Sequence, residues 1–152
     1  MRAGSGPVRR HAARGARTER LARDGWLVWA AVMLVGAVLP VAQIMGWEAG
    51  DEWSPAASLV HTCEFAVLAV LLAVAWRRRV PGSSGLWPAT ALSAAYGLFT
   101  EVVQGPIPYR DFDVRDLAFD AAGIVAGLLL LVVARRARTR RAWRPPIRGS
   151  RG

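Results

Sequence analysis

Residues 114–136 read VRDLAFDAAGIVAGLLLLVVARR. The stretch opens on acids, passes through two glycines four residues apart, and ends in an apolar run closed by two arginines. About 20 apolar residues at 1.5 Å rise each span the hydrocarbon core of a bilayer, and Val114–Ala134 supplies that length. Asp113, Asp116, Asp120, Gly123 and Gly127 stand at i, i+3, i+7, i+10 and i+14, one stripe of a helix. The G-x-x-x-G part of that stripe lets two helix backbones approach closely. The acids therefore turn toward a helix neighbour and away from lipid.

The same alternation of apolar runs and basic ends governs the whole chain. Of the 152 residues 53% are hydrophobic, yet the net charge is +9, and every basic residue is Arg. Seven arginines fall in 1–23, three in 77–79 and eight in 135–151. Apolar runs at about 25–45, 55–76, 86–104 and 114–134 separate these blocks. The pattern predicts an all-α, four-helix transmembrane bundle flanked by disordered Arg-rich tails at 1–24 and 135–152. Pro40 is expected to kink the first span, and Pro55 suits the start of the second. Trp47 and Trp53 fit an aromatic belt at the membrane surface. A cleaved signal peptide is disfavoured, because the first run is too long and ends in QIMGWE.

Arginine placement sets the topology. The basic segments are the two tails and the 77–85 loop, whereas 46–55 has no Arg and 105–113 has only Arg110. Positive segments stay in the cytoplasm, so this is a multi-pass cell-membrane protein with both termini cytoplasmic. Nucleic-acid binding is not expected, since the Arg blocks are short, lack interleaved aromatics apart from Trp143 and flank apolar runs. They serve topology and contacts with anionic membrane lipids. Cys63 has no partner for a disulfide and is expected as a small packing residue.

Ionisable residues inside spans cost about 2.5–3.5 kcal/mol each and mark functional sites. Here they are His61 and Glu64 in the second span, Glu101 in the third, and Asp116 and Asp120 in the fourth. His61 lies about 9 Å below Pro55, and Glu101 about 5 Å below Gln104. All sit near outer ends, so three spans bring polar groups to one depth. They also share inward faces: Ala57, His61, Glu64 and Leu68 form one stripe, and Ser93, Gly97, Thr100, Glu101 and Gln104 another. Nine carboxylates oppose Arg110 and Arg115 on the outer side, a formal −7.

Tyr96–Gly127, YGLFTEVVQGPIPYRDFDVRDLAFDAAGIVAG, resembles the signature of the VanZ-like membrane proteins. The matching positions are Tyr96, Glu101, Gln104, Pro108, Arg110, Asp116, Gly123 and Gly127, with His61 and Glu64 in the preceding span. The resemblance covers about residues 26–134. Two features depart from the pattern: Ala57 and Ser58 stand where the family often has Asp-Lys, and Asp120 replaces an Asn. The second adds an acid, and the first removes a cation together with an acid. The family is bacterial and takes its name from a protein linked to low-level resistance to the glycopeptide teicoplanin.

These residues support two readings. In the first the chain is a non-enzymatic envelope protein that binds a lipid-linked envelope precursor, a glycopeptide or another amphipathic ligand. The ligand-binding candidates are His61, Glu64, Glu101, Gln104, Arg110, Asp116 and Asp120. In the second it is a metal-dependent enzyme acting on lipid headgroups, with His61, Glu64 and Glu101 as catalytic candidates. A divalent cation would take its ligands from His61, Glu64, Glu101, Asp116 and Asp120. The bland alternative is a hydrogen-bonded network that joins the helices. No Ser or Cys nucleophile motif supports catalysis; Ser58 and Ser93 stand alone. Arg110 either binds a phosphate or carboxylate, or pairs with Asp113, Asp116 or Glu101. Gln104 is read as capping a helix end or bonding across helices, and Tyr96 as packing.

Overall fold

The structure, a computed structural model, describes residues 7–39, 55–77, 79, 84–108 and 113–142. Four helices make up these residues, with no strand among them: α1 Pro7–Val38, α2 Pro55–Ala75, α3 Leu86–Gln104 and α4 Val114–Ala142. The chain is all-α, as expected. The ends of α2 and α3 fall within a residue of the predicted spans.

The outer two helices differ from expectation at their basic ends. α1 begins at Pro7, where an unstructured segment through residue 24 was the prediction, and α4 continues to Ala142, past the predicted span end at Ala134. Ala and Arg are both strong helix formers. A helix already nucleated by an apolar run therefore extends through Ala- and Arg-rich sequence at little cost. Pro7 at the first helical position loses no bond, since its N–H would be unpaired there. Pro40, Trp47 and Trp53 lie outside the described residues.

Among the described residues, three helical stretches are long and apolar enough to cross a membrane: Arg20–Val38, Ser58–Ala75 and Val114–Arg140. Helix α3 is not one of them. Its polar set of Ser93, Thr100, Glu101 and Gln104 lowers its apolar content, and all four are buried. α3 hides its polarity inside the bundle and turns Leu92, Leu98, Phe99 and Val102 outward. α1 and α4 likewise expose Val28, Val32, Val125, Leu129 and Val133. An apolar exterior over a polar-containing interior is what hydrocarbon solvent selects.

Helix α2 is the hub. It packs against all three others, and its interface with α4 is the most extensive. Phe65, Leu68, Ala69, Leu72 and Ala73 of α2 form the centre of the core with Met33, Ala89 and Ile124. The α2–α4 contact is set by Gly123 and Gly127, whose Cα atoms lie against the backbones of Thr62 and Ala66. Cys63 is exposed, which corrects its expected packing role. It is two residues from His61, about 200° around the helix from the face that turns inward.

Side chains that reach neighbouring backbones fasten the bundle. The Tyr96 hydroxyl donates to the Ala30 carbonyl of α1. Trp29 Nε1 donates to the Glu64 carbonyl at 3.0 Å. Tyr96 was read as packing, and it does contact Phe65 and Phe99, but its hydroxyl also joins α3 to α1. We expect Tyr96→Phe to destabilise the purified protein by about 0.5–1.5 kcal/mol, the net worth of one hydrogen bond. A thermal-unfolding series in detergent measures it.

Candidate functional site

The acidic end of the bundle is built around His61. On α2 it follows Pro55 by six residues, so nearly two turns carry it down from the helix start. Asp116 and Asp120 on α4 are spaced i, i+4 and so project from one face. The close α2–α4 approach at Gly123 brings that face onto the imidazole. His61 Nδ1 lies 3.1 Å from Asp120 Oδ1, and its Nε2 lies 3.5 Å from Asp116 Oδ2. One ring thus bridges two carboxylates a helical turn apart. The exposure of the three side chains falls with depth: 32% for Asp116, 23% for His61 and 4% for Asp120.

Glu101 enters from α3 and is 1% exposed. Its Oε2 accepts the backbone N–H of Asp113 at 2.9 Å. Asp113 in turn caps α4, its Oδ1 accepting the Arg115 N–H at 2.7 Å. An N-cap side chain satisfies one of the free donors of the first helical turn. Glu101 therefore holds the residue that starts α4, a role that its place in a Glu-x-x-Gln pattern did not reveal.

Two carboxylate oxygens remain without a hydrogen-bond partner although they are buried: Glu101 Oε1 and Asp120 Oδ2. A Cβ at Gly97 would come within 2.8 Å of Asp120 Oδ2 and 3.2 Å of the Phe65 ring. Only glycine leaves room for the Asp120 carboxylate there. Buried acceptors without donors are uncommon in native interiors and call for a specific explanation.

The other predicted residues divide clearly. Glu64 is half-buried one turn below His61, within electrostatic reach of it and of Asp120. Gln104 is buried and donates through Nε2 to the Ala37 carbonyl at 3.2 Å. Ala37 lies in the last turn of α1, where carbonyls lack helical partners. The bond crosses from α3 to α1, one of the two roles expected for Gln104. Arg110 lies outside the described residues. Among the described residues, no three His, Cys, Asp or Glu side chains converge as a metal-binding group; the His61 nitrogens each face a different carboxylate.

Thr62 was not singled out from sequence. Its hydroxyl lies 2.9 Å from the Ser58 carbonyl of its own helix and 3.5 Å from the Phe119 carbonyl of α4. Its position beside His61, opposite the glycine pair, is the one signal that could have marked it.

No curated protein and no solved structure matches this chain. The VanZ/LLP1 family model matches residues 19–135, which include α2 and α3 whole, the larger part of α1 and α4, and every residue of the His61 cluster. The chain belongs to the VanZ/LLP1 family.

Proposed function

We propose that this chain is a cell-membrane protein whose four helices all span the bilayer, with both termini in the cytoplasm. Its polar end is an outer-facing pocket that binds a lipid-linked or amphipathic envelope ligand without chemical conversion. The observation that carries this reading is the pair of buried, partnerless oxygens, Glu101 Oε1 and Asp120 Oδ2. A bundle whose polar groups served only to join helices would leave no acceptor unsatisfied at such a cost in desolvation. Supporting the orientation, the arginines cluster at the end opposite the acids. Supporting α3 as a span, its apolar residues face outward while its polar residues are enclosed. Membership of a family named for a glycopeptide-resistance protein makes teicoplanin susceptibility the first phenotype to measure.

The test uses the full chain in a strain whose teicoplanin susceptibility depends on it. Glu101→Gln removes the charge and keeps the shape; Arg110→Ala removes the one cation of the 105–113 loop. Both variants are expected to change susceptibility and to reduce the lipid that copurifies in mild detergent, read by mass spectrometry. Unchanged susceptibility and an unchanged lipid profile in both would overturn the reading.

A further inference from the structure

We propose that Asp116, His61 and Asp120 form a proton relay that loads one proton from outer water onto the buried carboxylate of Asp120. This deepens the ligand-site reading above, on whose outward orientation it rests. A proton is the ligand that the geometry accommodates. Two buried carboxylate oxygens lack donors, even a Cβ added at Gly97 would lie only 2.8 Å from one of them, Asp120 Oδ2, and no three ligating groups converge for a metal among the described residues. Protonation neutralises a buried carboxylate, which removes the cost of leaving its charge poorly partnered, and it requires no space.

The route to Asp120 is a single file. Asp116 is about a third exposed and can exchange protons with water. His61 touches it through Nε2 and touches Asp120 through Nδ1. In the loading step the ring starts neutral with its proton on Nδ1. Protonated Asp116 gives its proton to Nε2, and Nδ1 gives its own to Asp120. Asp116 ends as a carboxylate, Asp120 ends neutral, and His61 ends neutral as the opposite tautomer. A ring turn or the reverse transfer resets it. An imidazole suits this because its two nitrogens exchange donor and acceptor roles.

The other titratable groups near His61 are Glu64 on its own helix and Glu101 on α3; Tyr96 of α3 lies toward Glu64. Residues 30–39 of α1 carry no ionisable side chain, and Arg115 is exposed. The buried carboxylates therefore have no cation within the described bundle other than His61 itself. Glu101 also holds the Asp113 N–H at the start of α4. The proton's arrival consequently removes the Asp120 charge within electrostatic reach of Glu101, the group that anchors the α3–α4 connection.

The experiment is infrared difference spectroscopy of the full-length protein in lipid nanodiscs, transferred from H2O to D2O. Wild type is expected to show a protonated-carboxyl stretch that shifts in D2O and is altered by Asp120→Asn. His61→Gln and Asp116→Asn should each slow that shift at least about tenfold, because exchange must then wait for local opening. Wild-type exchange rates in both variants, or no protonated-carboxyl band in wild type, would overturn the relay. Should His61→Gln fail to fold, Asp116→Asn alone decides, since it alters only the exposed end. Lipid copurification is read separately. Normal relay kinetics with no bound lipid would count against the ligand reading alone.

Discussion

Gly127→Val is expected to abolish accumulation of the folded protein, the largest effect of any single substitution in this bundle. A Cβ at position 127 would overlap the backbone carbonyl of Ala66, and one at Gly123 would overlap that of Thr62. Overpacking ordinarily costs about 1–3 kcal/mol because side chains rotate aside. Here the obstacle is helix backbone, which cannot rotate, so the cost falls at or above the top of that range. Separation of α2 from α4 would also pull Asp116 and Asp120 away from His61. Gly36→Ala is the control. Nothing lies within 4 Å of a Cβ there, so the change should be neutral or should stabilise by up to about 1 kcal/mol through helix propensity. Yield and unfolding temperature in detergent measure both. Equal tolerance of the two substitutions would show that the α2–α4 contact is looser than the structure has it.

His61→Ala should be the most damaging change within the polar cluster, at about 3–5 kcal/mol, because it strips two partly or fully buried acids of their shared partner. Asp120→Asn should behave differently. It keeps the shape and a hydrogen bond to His61 while removing the buried charge, and the VanZ-like pattern carries Asn at this place. Its expected cost is within about 1 kcal/mol. Combining the two should then cost less than the sum, since the deeper of the two orphaned charges is gone. Unfolding of the single and double variants gives that coupling directly. If His61→Ala and Asp120→Asn destabilise equally and additively, buried charge is not what makes His61 essential.

Much of the architecture was legible in the chain because bilayer physics acts on composition. Helical runs bounded by the 77–79 Arg block at one end and by Pro-containing acidic loops at the other mark α2 and α3 to within a residue. The inward stripe Ser93, Gly97, Thr100, Glu101 and Gln104 is buried throughout, since hydrocarbon leaves polar groups one place to go. Periodicity likewise put Asp116, Asp120, Gly123 and Gly127 on one face of α4. Helix length at the basic ends was less legible, because Arg-rich sequence is equally compatible with a solvated tail and with a continued helix.

Depth and face, which are properties of single helices, were therefore open to reading from the residues alone. Pairing was not, because it depends on how one helix is rotated and translated against another. Only the tertiary structure chose Asp116 and Asp120 as the two partners of His61, gave Glu101 the Asp113 backbone to hold, and directed Gln104 to the end of α1. The reason is the tight backbone contact at Gly123 and Gly127. It sets the register between α2 and α4, and every polar distance around His61 follows from that register.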